Sequence, residues 1–83
     1  MSVFRELVTI ELARARSKHA DLHSLHEGYS VLLEEVDELW EEVKQRREKR
    51  SKRALRMELV QIAAMAQRMA EDCGVLLEDG AGP

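Results

Sequence analysis

The sequence is poor in the residues that interrupt helices, build sheets or cross-link chains. Its 83 residues include one proline and four glycines, two of them within the last four positions. β-Branched residues are sparse, and Phe, Tyr and Trp occur once each, which argues against a sheet. The single cysteine, Cys73, excludes an internal disulfide and fits a reducing compartment. These absences predict an all-α chain with long helices.

Charge and hydropathy argue against two further classes. No apolar run approaches the roughly 20 residues of a membrane span, and Glu6 and Glu11 make the N-terminal stretch unlike a signal or transit peptide. A net charge of -3 gives no general attraction to nucleic acid. We therefore expect a cytoplasmic protein, with neither a membrane nor a nucleic acid as its partner.

Three segments with apolar residues at helical spacing predict three main helices. They cover about residues 3–18, 25–50 and 52–72. Each follows a serine that can cap it, namely Ser2, Ser24 and Ser51. Ser24 and Glu27 form a capping box, and Gly74 is a typical stop after the third helix. Residues 19–24 lose the periodicity and are predicted to form a loop.

The apolar positions expected to be buried lie along one face of each helix. On the first helix they are Phe4, Leu7, Val8, Leu12 and Ala15. On the second they are Tyr29, Leu32, Leu33, Val36, Leu39, Trp40 and Val43. On the third they are Leu55, Leu59, Ile62, Ala66 and Met69. Three such helices bury little surface alone, so we expect a second copy of the chain to cover them.

The domain organisation is simple. We expect one helical domain over residues 1–74 and a short, flexible tail over residues 75–83, because the sequence contains no internal repeat and no linker. A turn through Val75, Leu76 and Leu77 is the only structure predicted for this tail.

Acidic residues are concentrated on the second helix. Residues 34–43 contain six carboxylates, and Glu35, Glu38 and Glu42 line one stripe beside the apolar stripe. Like charges at this spacing repel, so the carboxylates either stay in water or bind a cation. Glu58 occupies a comparable position on the third helix. Carboxylates from two helices can hold Mg²⁺, which makes metal-assisted phosphate chemistry the enzymatic class that these residues support.

A basic run follows the acidic helix. Its members are Lys44, Arg46, Arg47, Lys49, Arg50, Lys52, Arg53 and Arg56. The first interpretation is a solvated helix end that meets the negative end of the helix dipole. The second is a phosphate-binding patch. The third is a nucleic-acid contact, although the run lacks the aromatic residues of single-strand binders and a recognition helix.

Two other polar features have alternative interpretations. Glu11 points into the apolar face of the first helix, either as an edge residue paired with Arg14 or with a neighbouring helix, or as an acid directed toward a polar site in the bundle. His19, His23 and His26 resemble a zinc spacing, but no cysteine is near and Ser24 puts His26 on a different element. We favour the paired edge residue for Glu11 and surface or loop positions for the histidines.

The acidic segments also resemble a known family. Glu34-Glu35-Val36-Asp37-Glu38, followed after nineteen residues by Glu58-Leu59-Val60-Gln61, resembles the EExxE…ExxD signature of the MazG-like all-α nucleoside triphosphate pyrophosphohydrolases. That superfamily includes dimeric dUTPases and phosphoribosyl-ATP pyrophosphohydrolase. The lead-in His26-Glu27-Gly28-Tyr29 is similar to that of small stand-alone members. The resemblance covers roughly residues 24–72.

The resemblance implies a fold, a cofactor and a reaction. It implies a four-helix-bundle-like homodimer or homotetramer, and a nucleoside triphosphate cleaved to monophosphate and pyrophosphate. Mg²⁺, or alternatively Mn²⁺, would be held by Glu35, Glu38, Glu58 and Gln61. Glu34 would ligate the metal or activate water. Residues of the basic run would neutralise the phosphates, namely Lys44, Arg47 and Arg53.

The second motif departs from the family pattern at Gln61, where the family has Asp. An amide oxygen can ligate Mg²⁺ but brings no charge. Glu11 is a candidate replacement, whereas Asp72 lies too far along the third helix. The alternative function is therefore a non-catalytic helical oligomer or partner-binding module that keeps the same fold.

Overall fold

The computed structural model describes residues 2–77 of the chain. Within this range the protein contains three α-helices, one short 3-10 turn at Arg47–Lys49 and no strand. The helices are α1 (Val3–Lys18), α2 (Leu25–Val43) and α3 (Lys52–Asp72). The prediction of three main helices is therefore confirmed. Of the predicted tail, residues 75–77 continue the turn after α3, and residues 78–83 lie outside the described residues.

The helix starts follow the predicted caps. Each cap serine accepts a hydrogen bond from a backbone N–H three residues later, at 3.4 Å for Ser2, 3.0 Å for Ser24 and 3.1 Å for Ser51. At α2 the Glu27 carboxylate accepts from the backbone N–H of His23, the residue before the cap, at 2.9 Å, so only the Ser24 half of the predicted box is formed. These bonds satisfy N–H groups that have no partner within the helix.

The helix ends agree with the sequence in two of three cases, and α1 ends at Lys18 as predicted. Gly74 has a φ of 72°, the left-handed conformation in which glycine commonly follows a helix, and α3 stops there as predicted. The prediction that α2 ends near Arg50 is wrong, because the helix ends at Val43. No apolar side chain follows Val43 for several residues, so tertiary packing does not extend the helix. The Arg50 Nε instead donates to the Val43 carbonyl at 3.0 Å.

The core lies where α3 packs between the other two helices. Six residues form it, namely Val8, Leu12, Ala15, Val60, Ala64 and Met65. Ala64 has no exposed surface, and its small side chain permits a close helix approach. Val31 and Leu32 of α2 pack against the same cluster. The core positions predicted on α1 are confirmed for Val8, Leu12 and Ala15, whereas Phe4 is exposed.

The predicted core stripe of α3 is only partly correct, because Leu55, Ile62 and Met69 are half-buried and the fully buried residues lie elsewhere. Leu59 and Ala66 are exposed, whereas Val60, Ala64 and Met65 are buried. The prediction assumes a single stripe that faces a single neighbour. Because α3 contacts both α1 and α2, its buried sector is turned toward residues that this assumption places at the edge.

The apolar stripe of α2 is largely uncovered in the single chain. Leu32, Leu39 and Val43 are half-buried. The exposed residues Leu25, Tyr29, Leu33, Val36 and Trp40 together form a surface that we call the open face of α2. More than half of the Trp40 surface, 57%, is accessible. A contiguous apolar surface of this kind is typical of an interaction site.

The segment between α1 and α2 is attached to the end of α3. The backbone N–H of Leu22 donates to Asp72 at 2.9 Å, and Arg68 donates to the Ala20 carbonyl at 2.6 Å. Arg16 of α1 contacts Asp72 at 2.8 Å. Leu22 is buried beneath this network. The loop prediction for residues 19–24 is confirmed, but its polar attachment to α3 was not predicted.

Within residues 2–77, no helix combines the length and the apolar character that crossing a bilayer would require.

Candidate metal centre

Three glutamates from two helices converge at one place. Glu35 and Glu38 lie three residues apart on α2, and Glu58 faces them from α3. One carboxylate oxygen from each lies within 4.8 Å of the other two. The two helices run antiparallel, since Gly28 near the start of α2 lies against Met69 near the end of α3. This arrangement brings together acids that are far apart in sequence.

The cluster lacks compensation from the protein. The Oε2 atoms of Glu35 and Glu58 are buried and have no hydrogen-bond partner among residues 2–77. No arginine or lysine of the described residues forms an ion pair with the three glutamates. Buried carboxylate oxygens without a partner are energetically costly. A bound cation would remove that cost.

The same cost of burying negative charge shifts the pKa values of the cluster. Burial, with repulsion from Glu38 as the next contribution, raises the pKa of Glu35 to about 7. Burial and the charge of Glu38 also raise the pKa of Glu58. Near neutral pH Glu35 is therefore partly protonated, whereas an isolated glutamate would be fully ionised.

Gln61 and Glu11 line the same cavity as Glu35 of the cluster. Gln61 is half-buried, one turn after Glu58. Glu11 is 6% exposed. Arg14 binds both of its oxygens, with Nε donating at 2.9 Å and Nη2 at 2.7 Å. The predicted pairing with Arg14 is found, but the predicted edge position is wrong, because Glu11 is buried and borders the cavity.

The cavity has a volume of about 540 Å³, within the roughly 300–1,000 Å³ usual for small-molecule sites. It lies between α1, the 19–23 segment, α2 and α3. Its charged and polar walls consist of Glu11, Arg14, Lys18, His19, Asp21, His23, Glu27, Glu34, Glu35, Gln61 and Arg68. Arg14, Lys18 and Arg68 are not among the site residues predicted from the sequence. Their only signal was the spacing of Arg14 and Lys18, which puts two cations on one face of α1.

The remaining predicted site residues are spread over two places. Glu34 is exposed and lines the cavity. The three predicted phosphate-binding residues, Lys44, Arg47 and Arg53, are exposed and do not line it. Lys44 instead forms an ion pair with Glu41 at 2.7 Å. The structure therefore brings three of the predicted metal ligands together, Glu35, Glu38 and Glu58, but does not place these three cations in the cavity.

The histidines are exposed, as predicted. His23 lies 3.8 Å from Glu27, and His19 and His23 border the cavity. Among residues 2–77, the three-glutamate cluster is the only group of histidine, cysteine and acidic side chains with metal-binding geometry.

Comparisons with protein-family models, curated proteins and solved structures find no match to this chain. Its chemistry is therefore inferred from the residues of the site.

Those residues fit a hard divalent ion. All three convergent ligands are carboxylate oxygens, the donors preferred by Mg²⁺ and Mn²⁺, and the neighbouring Gln61 adds a neutral oxygen. The cluster contains none of the nitrogen or sulfur ligands that commonly dominate zinc sites. The adjoining cavity leaves room for a substrate beside the ion.

Proposed function

We propose that the protein is a Mg²⁺-dependent nucleotide pyrophosphohydrolase of the MazG-like type, which cleaves a nucleoside triphosphate to the monophosphate and pyrophosphate. One observation carries this proposal. Glu35, Glu38 and Glu58 converge with two buried oxygens that have no partner, beside a cavity of nucleotide-compatible volume. Carboxylates that are only solvated would keep their oxygens accessible to water.

The chain supplies distinct parts of the reaction. Glu35, Glu38 and Glu58 would hold the ion, with Gln61 as a further oxygen donor. A bound Mg²⁺ would neutralise charge on the phosphate oxygens and make a bound water more acidic. Glu34, exposed at the cavity wall, would accept a proton from the water that attacks the α-phosphorus. The bond from the α-phosphorus to the bridging oxygen then breaks, and pyrophosphate leaves.

The proposed active form is a homo-oligomer built on the open face of α2. Its five exposed apolar residues lie at successive helical turns, so a second copy can cover them along one seam. Two copies related by a twofold axis would pair α2 with α2 and give a four-helix-bundle-like assembly with the adjacent α3 helices. The small core of a single chain also favours association with a second copy.

Glu38→Gln tests the metal centre with little change in shape. We expect pyrophosphate release to fall at least about 100-fold, because a charged ligand becomes a neutral one. The assay uses a panel of ribo- and deoxyribonucleoside triphosphates with Mg²⁺ or Mn²⁺. Asp37→Asn is the matched control, since it removes a neighbouring exposed acid of α2 that is outside the cluster. Equal activity of the two variants would contradict the proposal.

The open face of α2 favours a second candidate function. A non-catalytic helical oligomer or partner-binding module would use that apolar surface and leave the glutamates without an ion. Saturable Mn²⁺ binding separates the two functions. Absence of such binding, together with a stable oligomer and no pyrophosphate release, would favour the module.

A further inference from the structure

The cavity beside the metal centre has an acidic wall and a facing wall that carries cations. One wall carries Glu34 and Glu35 of α2, and Glu35 belongs to the metal cluster. The other wall carries Arg14 and Lys18 of α1, which lie four residues apart and share a face, together with Glu11, which is paired with Arg14. A ligand that fills this cavity must therefore bind the metal ion at the glutamates on one side and contact cationic side chains on the other.

The cationic wall has unused binding capacity. Lys18 is exposed and forms no ion pair with any residue between 2 and 77. Arg14 uses Nε and Nη2 for Glu11, while its Nη1 makes no hydrogen bond within the described residues. Half of the Arg14 side chain remains accessible. The negative end of the α1 dipole lies here, so the attraction for an anion must come from these side chains.

A polyphosphate chain that carries a divalent ion fits both walls. Its metal-bound oxygens would face the glutamates, and its other oxygens would accept charge-assisted hydrogen bonds from the cations. An apolar ligand would leave Glu35 and Lys18 without partners, and a divalent ion alone would leave Lys18 without one.

We propose that Arg14 and Lys18, rather than the basic segment of residues 44–56, hold the triphosphate chain of the substrate. This proposal rests on the proposed function and changes the assignment of its phosphate-binding residues. The cations predicted for that role, Lys44, Arg47 and Arg53, do not line the cavity that adjoins the metal centre. Lys44 is also engaged by Glu41.

The test measures binding of inorganic tripolyphosphate to the full chain saturated with Mn²⁺, by isothermal titration calorimetry. Lys18→Gln should weaken binding about tenfold, because one charge-assisted contact is lost. Arg53→Gln is the matched control and should change the affinity less than about twofold, because Arg53 does not line the cavity. Lys18→Arg should retain most of the affinity because it keeps the charge.

Direct Mn²⁺ binding separates failure of this proposal from failure of the proposed function. Lys18 is exposed at the last residue of α1, so its substitution should leave Mn²⁺ affinity unchanged. Intact Mn²⁺ binding with equal tripolyphosphate affinity in Lys18→Gln and the unaltered protein would overturn the phosphate assignment alone. No saturable Mn²⁺ binding by the unaltered protein would overturn the metal centre and this proposal together.

A competition experiment shows whether the bound polyphosphate belongs to a nucleotide or is inorganic. Non-hydrolysable α,β-methylene nucleoside triphosphates are added to the protein with bound tripolyphosphate. At least one should displace it at a lower concentration than tripolyphosphate itself. If none does, the ligand is inorganic polyphosphate and the assignment to a nucleotide is wrong.

Discussion

At the scale of single residues, Glu35 shows how much of the site was predictable. Its three-residue spacing from Glu38 is enough to place both carboxylates on one helical face. The opposing position of Glu58 depends on the register between α2 and α3, and the sequence predicted it only from its comparable place beside the apolar stripe of the third helix and from the family resemblance. The buried environment that raises the pKa of Glu35 to about 7 was not predictable, because it requires the packed neighbours.

The raised pKa of Glu35 predicts a pH-dependent stability of the metal-free protein. An unfolded chain loses the Glu35 proton near its ordinary pKa of 4.5, whereas the folded protein keeps it until about pH 7. The folded state thus binds more protons in this interval, and the free energy of unfolding falls as pH rises from about 4.5 to about 7. Glu35→Gln should reduce this loss, as measured by thermal unfolding with EDTA.

Asp37→Asn provides the comparison for this experiment. It removes an exposed acid of the same helix and should leave the slope of stability against pH unchanged between about pH 5 and pH 8. Identical slopes for Glu35→Gln and the unaltered protein would show that Glu35 titrates as an ordinary solvent-exposed glutamate.

At the scale of elements, the helix starts were predictable and the buried faces were only partly so. The cap serines act on N–H groups within one turn, so their effect is readable from neighbouring residues. The end of α2 was misplaced because it depends on the absence of packing beyond Val43. The attachment of the 19–24 segment to α3 was missed because it joins groups that are 50 residues apart in the chain, Leu22 and Asp72.

Asp72→Asn should weaken this attachment. The substitution removes the charge that pairs with Arg16, on a side chain that is 5% exposed, and should cost about 1–3 kcal/mol of unfolding free energy. Hydrogen bonding to Arg16 lowers the pKa of Asp72 below 3.8, so its contribution is present above pH 3.8 and is lost as pH falls through the lower folded-state value. Urea unfolding near neutral pH measures the cost.

The matched control is Asp21→Asn. Asp21 also contacts Arg16, at 3.3 Å, but its side chain is 81% exposed. An exposed pair of this kind contributes at most about 1 kcal/mol, so the control should change stability by less than Asp72→Asn. A larger effect of Asp21→Asn would mean that the buried position of Asp72 is not the source of its stabilisation.

At the scale of the whole molecule, the small core and the open face of α2 belong together. Six buried apolar residues form the core, while α2 leaves five large apolar side chains accessible. A chain of this size buries a modest fraction of its apolar surface, and self-association is a common remedy. This imbalance underlies the proposal of a homo-oligomer.

Trp40→Glu should therefore weaken self-association. In a twofold interface the substitution removes a large apolar anchor from each copy and adds a charge to each, and we expect dissociation to become at least about tenfold more favourable. Analytical ultracentrifugation over a range of concentrations measures the change. The fold of the single chain should persist, because Trp40 is already exposed in it.

Ile10→Glu is the control for the position of the interface. Ile10 is a large apolar residue of α1 that is 64% exposed and outside the open face of α2. Its substitution should leave the association constant nearly unchanged. A monomeric unaltered protein, or equal weakening by both variants, would contradict an interface centred on α2.

Local chemistry in the sequence by itself determined the all-helical class, the three helix starts, the end of α3 and the acidic stripe of α2. These features depend on residues within one or two turns of each other. Only the tertiary structure decided the face that α3 buries, the early end of α2, the attachment of Leu22 and the cavity lined by Arg14 and Lys18. These depend on how α3 packs between two other helices, and no local periodicity encodes that geometry.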